Sequence, residues 1–174
     1  MANKKSFNLG IIFGLLVIVF CVAGCCMMFL PLITSGSGSI VITYPGLAVV
    51  FGGTHDVTYT LTTGNFITST IISQDFKFNV FATLAFFLPL IGGILVVINK
   101  FVTKKMPFFS IIGFLLIVIG LVLLFFVKSS FNSLNEFDDI ASMHYAIGLI
   151  LAIIFYGIAC LVSLIKLFLF DFKK

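Results

Sequence analysis

The chain lacks the charged residues that a water-soluble surface requires. Only 9% of its 174 residues are charged, 61% are hydrophobic, and the mean hydropathy is +1.29. Because soluble domains carry about a quarter charged residues, this composition excludes an ordinary soluble fold. Four spans of about 20 residues each would leave too little chain for a sizeable soluble domain. The sequence therefore predicts one membrane domain over residues 1–174.

Arginine and tryptophan are absent. All ten basic residues are Lys and Phe occurs 23 times, a bias that suggests translation from an AT-rich genome and a bacterium of low GC content. Without Trp, the aromatic belt that usually marks the membrane interface must be built by Phe and Tyr. The four tyrosines are Tyr44, Tyr59, Tyr145 and Tyr156.

Motifs for catalysis are also missing. No phosphate loop, HExxH or GxSxG occurs, and no CxxC pair lies in a loop as a disulfide-forming oxidoreductase would need. No Asp, Glu, Lys or His lies in the middle of a predicted span, which argues against a pump or coupled transporter acting alone. We therefore expect neither an enzyme nor a bound cofactor.

Four long apolar runs are present, and each is long enough to cross about 30 Å of hydrocarbon. The predicted spans are 9–33, 78–98, 108–127 and 143–165. Pro89 in the second run predicts a kink, since it removes a backbone hydrogen bond. The expected fold is an all-α four-helix membrane bundle with outer loops at 34–77 and 128–142 and an inner loop at 99–107.

Lysine placement gives the expected orientation. Only Lys77 and Lys128 fall on one side of the predicted spans. The other side carries Lys4, Lys5, Lys100, Lys104, Lys105, Lys166, Lys173 and Lys174. Because cytoplasmic segments are enriched in Lys, we predict a plasma-membrane protein with both termini in the cytoplasm.

The first outer loop reads as a small antiparallel β-sheet of three or four strands, placed after a flexible TSGSGS segment at 34–39. Gly64-Asn65 suits a type II′ hairpin turn. The predicted strands are Ile40–Tyr44, Leu47–Phe51, Val57–Thr63 and Phe66–Ser73. Leu47–Phe51 could equally be a short helix. The residues expected to contact a partner are Tyr44, Tyr59, Leu61 and Phe66.

Small residues predict how the helices pack, because membrane helices associate where small side chains allow close approach. Two sets with the same spacing are Gly10, Gly14, Cys21 and Cys25 in span one, and Gly148, Ala152, Ala159 and Ser163 in span four. Both sets return to one helix face. We therefore expect span four beside span one, with Gly10 and Gly14 level with Ala159 and Ser163.

Cys25 has a second interpretation. Val22-Ala23-Gly24-Cys25 follows two lysines and an apolar run, as in a bacterial lipoprotein signal that is lipidated at the Cys. The apolar run continues to Ile33, which favours an uncleaved span. Buried thiols in helices are usually packing residues, which is the interpretation we prefer for all four cysteines.

Acidic residues before span four suggest a divalent-metal site that would comprise Glu136, Asp138, Asp139 and His144. Helix capping by Asp138 or Asp139 is the favoured explanation, since carboxylates satisfy free N–H groups at a helix start. We therefore expect no metal centre. Lys166 is interpreted as an anchor whose ammonium extends to the membrane surface.

The order of spans and loops resembles the topology of claudin-like four-span proteins. The first outer loop contains neither the Trp residues nor the two Cys of the claudin signature, so no claudin residue is carried over. FLP at 29–31 and YPGLAVVFG at 44–52 are similar to uncharacterised bacterial four-span proteins, a resemblance that implies no activity.

Two functional hypotheses follow. The first is a non-enzymatic interaction or scaffold protein whose outer sheet contacts another membrane or extracellular protein, or a second copy of the chain. The alternative is a small oligomeric pore, or an accessory transporter subunit, lined by Thr, Ser and backbone groups. The lipid bilayer is the expected environment, and nucleic acid is not an expected partner.

Overall fold

The structure is a computed structural model that describes residues 2–37, 39–102, 107–136 and 143–172. These residues form five α-helices and five strands. In chain order they are α1 (Ala2–Cys26), β1 (Pro31–Ser37), β2 (Ile40–Pro45), α2 (Gly46–Phe51), β3 (Gly53–Thr63), β4 (Phe66–Phe76), α3 (Val80–Val102), α4 (Phe108–Asn135), β5 (Met143–Tyr145) and α5 (Ile147–Lys166). A 3₁₀ turn (Met27–Phe29) follows α1, and a π-helical turn (Leu167–Asp171) follows α5.

Helices α1, α3, α4 and α5 are long and apolar enough to cross a membrane, which confirms the predicted number of such helices. Their ends differ from the prediction. The chain enters β1 at Pro31, because proline lacks the N–H that a helix interior needs. Helix α4 continues beyond 127 to Asn135, and α5 begins at Ile147 because Met143–Tyr145 is a strand. Within the predicted inner loop, residues 103–106 lie outside the described residues.

The sheet is antiparallel and has five strands in the order β4-β3-β2-β1-β5. The expectation of three or four strands was therefore too low. Residues 34–37, interpreted as flexible linker, belong to β1, which pairs with β2 on one side and β5 on the other. Pairing on both sides satisfies the backbone of this Gly- and Ser-rich segment. Leu47–Phe51 lies in the short helix α2, the second of the two alternatives.

The β3–β4 hairpin is confirmed. Its pairing runs from Gly53 opposite Phe76 to Thr63 opposite Phe66 without a break in register. Gly64 has a φ of +61°, and Asn65 is not in the positive-φ region, a combination that a type II′ turn requires. Glycine suits this position because it has no Cβ to clash.

Helices α3 and α4 cross closely at glycines. A Cβ atom added to Gly92 would lie 2.5 Å from the carbonyl oxygen of Gly113, and one added to Gly113 would lie 2.5 Å from that of Gly92. Farther along, a Cβ on Gly120 would lie 2.3 Å from Pro89 Cγ. Small residues thus allow the backbones of α3 and α4 to contact each other. The small-residue spacing predicted only the contact between spans one and four.

Helix α1 packs along α5 and α3. All eight small residues singled out in α1 and α5 are buried. Along the α1–α5 contact, a Cβ on Gly24 would lie 2.3 Å from the Tyr156 ring, and one on Gly14 would lie 3.5 Å from Lys166 Cε. Gly14 was expected level with Ala159 and Ser163, but its contact is Lys166, which lies further along α5. The two helices therefore pair in a different register from the expected one.

Candidate interaction surface

An aromatic cluster fixes the sheet to the helices. The Tyr44 ring lies 5.3 Å from Phe131 of α4 and 5.9 Å from Phe76 at the end of β4, and the Phe76 and Phe131 rings are 5.6 Å apart. Tyr44 is only 3% exposed, and this burial raises the pKa of its hydroxyl to about 12. A hydrogen bond with Ser35 lowers the pKa, but by less than burial raises it. Tyr44, expected to contact a partner, therefore packs inside the protein.

The β5 side of the sheet is held against α4. Lys128 Nζ donates a hydrogen bond of 3.1 Å to the Met143 carbonyl and lies 5.8 Å from the centre of the Tyr145 ring. The Tyr145 hydroxyl donates to the Phe125 carbonyl at 3.1 Å. These contacts attach the short strand to α4.

The other side of the sheet projects away from the helices. Along β3 the side chains on the packed face become more accessible towards the turn, since Val57 is buried, Tyr59 is half-buried and Leu61 is 43% exposed. Phe66, which shares this face through the β3–β4 register, is 79% exposed. The turn end of the hairpin is therefore not packed against the helices.

Strand β4 exposes apolar side chains on both faces. Ile67 and Ile71 alternate with Phe66 and Ile72 along the strand, so they lie on opposite faces of the sheet. Ile67 is 72% exposed and Ile71 is 67% exposed. Neither residue was among those expected to contact a partner, although the adjacent apolar pairs at 66–67 and 71–72 were a signal, because neighbouring residues in a strand cannot share a face.

From Phe66 to Gln74, the free edge of β4 lacks the features that usually protect a sheet edge. Among the described residues, no strand pairs with the side of β4 that faces away from β3. No Lys, Asp, Glu or Pro occurs from Val57 to Gln74, whereas exposed edges are normally protected by charges, prolines or bulges. The edge thus presents unpaired backbone N–H and C=O groups beside apolar side chains.

The bundle also contains a buried ion pair at the end opposite the sheet. Lys166 Nζ lies 2.6 Å from Asp171 Oδ2 and donates a 3.0 Å hydrogen bond to Ser110 Oγ, which donates to the same Asp171 oxygen at 2.6 Å. Lys166 is 0% exposed, so its interpretation as a surface anchor was wrong. The π-helical turn explains the difference, because it brings Asp171 back over Lys166 at a spacing of five residues.

The residues of the metal hypothesis do not form a site in the part that is described. Glu136 ends α4 and forms an exposed ion pair of 2.9 Å with Lys77, which lowers the pKa of its carboxyl. His144 is exposed on β5. Asp138 and Asp139 lie outside the described residues, and among those described no group of three His, Cys, Asp or Glu could hold a metal ion. Helix α5 has Ala146 at its N-cap position.

The four cysteines are free thiols that differ in exposure. Cys21 and Cys25 are buried, Cys160 is half-buried and Cys26 is exposed. Cys25, the residue of the lipidation hypothesis, is 8% exposed on α1.

The sequence was compared with protein-family models and with curated proteins. No protein-family model matches the chain, and no curated protein matches it. The function must therefore be inferred from the described geometry.

Proposed function

We propose that this chain is a non-enzymatic multi-pass membrane protein that presents its sheet outside the cell to a protein partner. Four helices of membrane-spanning length support the placement in a bilayer. The lysine distribution supports cytoplasmic termini, and with them an outer sheet.

The observation that carries the proposal is the uncovered edge of β4. A partner segment in extended conformation would pair with this edge, so that backbone hydrogen bonds provide affinity. Ile67 and Ile71 on one face, and Phe66 and Ile72 on the other, would then pack against alternate side chains of the added strand. Pairing also removes the cost of an apolar edge exposed to water.

Capture from native membranes in mild detergent tests the proposal. Ile71→Lys puts a charge on the edge strand, whereas the control Thr62→Lys puts the same charge on the same sheet face, but on β3. Both positions are exposed, so neither change buries a charge. We expect the wild type and Thr62→Lys to retain a partner and Ile71→Lys to lose it. Equal capture by all three proteins would show that the β4 edge is not the binding surface.

The identity of the captured protein separates two forms of the proposal. A different protein in constant ratio to the chain supports a dedicated partner. Recovery of the chain alone, in a mass that corresponds to more than one copy and is reduced by Ile71→Lys, supports pairing between two β4 edges. A monomer that brings down nothing contradicts both forms.

A further inference from the structure

A groove of about 620 Å³ lies between the start of α3 and the last third of α4. The α3 side is formed by Phe78, Val80 and Phe81. The α4 side is formed by Leu123, Phe126, Ser129, Ser130, Ser133 and Leu134. The volume is within the range of small-molecule sites, about 300 to 1,000 Å³. None of the lining residues belongs to β4.

The α4 side of the groove changes from apolar to hydroxyl-bearing towards the sheet. Leu123 and Phe126 precede Ser129, Ser130 and Ser133 on this helix, and Leu134 ends the lining. Helix α4 has 28 residues and is therefore about 42 Å long, whereas the hydrocarbon layer is about 30 Å thick. In the proposed bilayer placement, the serines lie at headgroup depth and Phe126 lies at acyl-chain depth.

Ser130 on the α4 side of the groove is held in place by a buried asparagine. Ser130 Oγ donates to Asn79 Oδ1 at 2.9 Å, and the same oxygen accepts the Ala82 N–H at 3.1 Å, which caps α3. Asn79 is 0% exposed, and its Nδ2 has no hydrogen-bond partner. Asn79 is not part of the groove lining, so the hydrogen-bond donors of the lining side chains are the serine hydroxyl groups.

We propose that the groove binds one glycerophospholipid molecule. Its acyl chain packs against Phe81 and Phe126, and its ester and phosphate oxygens accept hydrogen bonds at the Ser129 and Ser133 end. An amphiphile of this kind matches the order of apolar and hydroxyl groups along α4. The inference rests on the proposed membrane placement and does not depend on the protein partner.

The absence of Trp allows a direct test, because an introduced Trp is the only indole in the chain. Phe126→Trp places it in the groove, and Val122→Trp places it one turn away on an exposed position of α4 outside the groove lining. Each purified variant is titrated in detergent micelles with phosphatidylcholine brominated on its acyl chains, which quenches Trp fluorescence on contact. We expect quenching at 126 to saturate at a lipid fraction about tenfold below that needed at 122.

The possible outcomes test the lipid site and the membrane placement separately. Equal titration curves at 126 and 122 would mean that lipid contacts the helices without a site, which overturns the proposal. Quenching at neither position, in the micelles or after reconstitution into brominated vesicles, would contradict the membrane placement itself.

Ser129→Ala with Ser133→Ala, added to Phe126→Trp, tests the headgroup contacts. Loss of two neutral hydrogen bonds should raise the half-saturating lipid fraction roughly tenfold. Quenching by a brominated hydrocarbon without ester groups should be unaffected. An unchanged phospholipid titration would refute the assignment of the serines to the headgroup.

Discussion

Breaking the buried ion pair at Asp171 should strongly destabilise the bundle. Asp171→Leu leaves the Lys166 ammonium buried and without its carboxylate, although Ser110 still accepts one of its hydrogen bonds. Removal of one member of a buried pair costs about 3 to 5 kcal/mol. For a chain of this length, that corresponds to a melting temperature about 6 to 20 °C lower, measured by thermal unfolding in detergent.

A double variant separates the ion pair from general packing. Lys166→Met with Asp171→Leu replaces both charges by apolar side chains, and replacement of a whole buried pair is often neutral or stabilising. The double variant should therefore be closer to the wild type than Asp171→Leu alone. Glu136→Gln, which alters the exposed pair with Lys77, serves as the control and should leave the melting temperature unchanged. A double variant that is as unstable as Asp171→Leu would refute the reasoning.

Two further predictions follow from packing and burial. Gly113→Ala should lower the free energy of unfolding by about 1 to 3 kcal/mol, because the added Cβ meets the Gly92 carbonyl. The control Gly157→Ala should be neutral or slightly stabilising, because a Cβ there has nothing within 4 Å. Equal melting temperatures for the two variants would contradict the close α3–α4 crossing. Burial raises the pKa of Tyr44 to about 12 in the folded state. The neutral Tyr44 hydroxyl therefore contributes fully to folding stability below pH 10, and this stabilisation is lost as the pH rises from 10 to 12. Tyr44→Phe should therefore reduce the loss of stability over that pH interval, as measured by denaturant titration at each pH.

The local features of the fold were predictable from the sequence. Long runs without charge identify helices of spanning length, since few other structures carry 18 or more consecutive apolar residues. The β3–β4 hairpin was predictable because its strands are adjacent and Gly64 supplies the positive φ at its turn.

Features built by distant residues were not predictable. Strand β1 has a linker-like composition and exists because β2 and β5 pair on its two sides, and β5 lies about 110 residues away along the chain. Burial of Lys166 depends on a π-helical turn and on Ser110 of another helix. Of the residues expected to contact a partner, Leu61 and Phe66 are exposed, whereas Tyr44 packs against Phe131, a contact between distant residues that a local pattern does not reveal.

Cysteine accessibility tests the central claim that the sheet lies outside the cell. The four native cysteines are first replaced by Ala, and single cysteines are introduced by Ser69→Cys in β4 or Lys104→Cys in the predicted inner loop. With a membrane-impermeant maleimide on intact cells, we expect labelling at 69 at once and at 104 only after permeabilisation. Labelling at 104 but not at 69 on intact cells would place the sheet in the cytoplasm and contradict the proposed function.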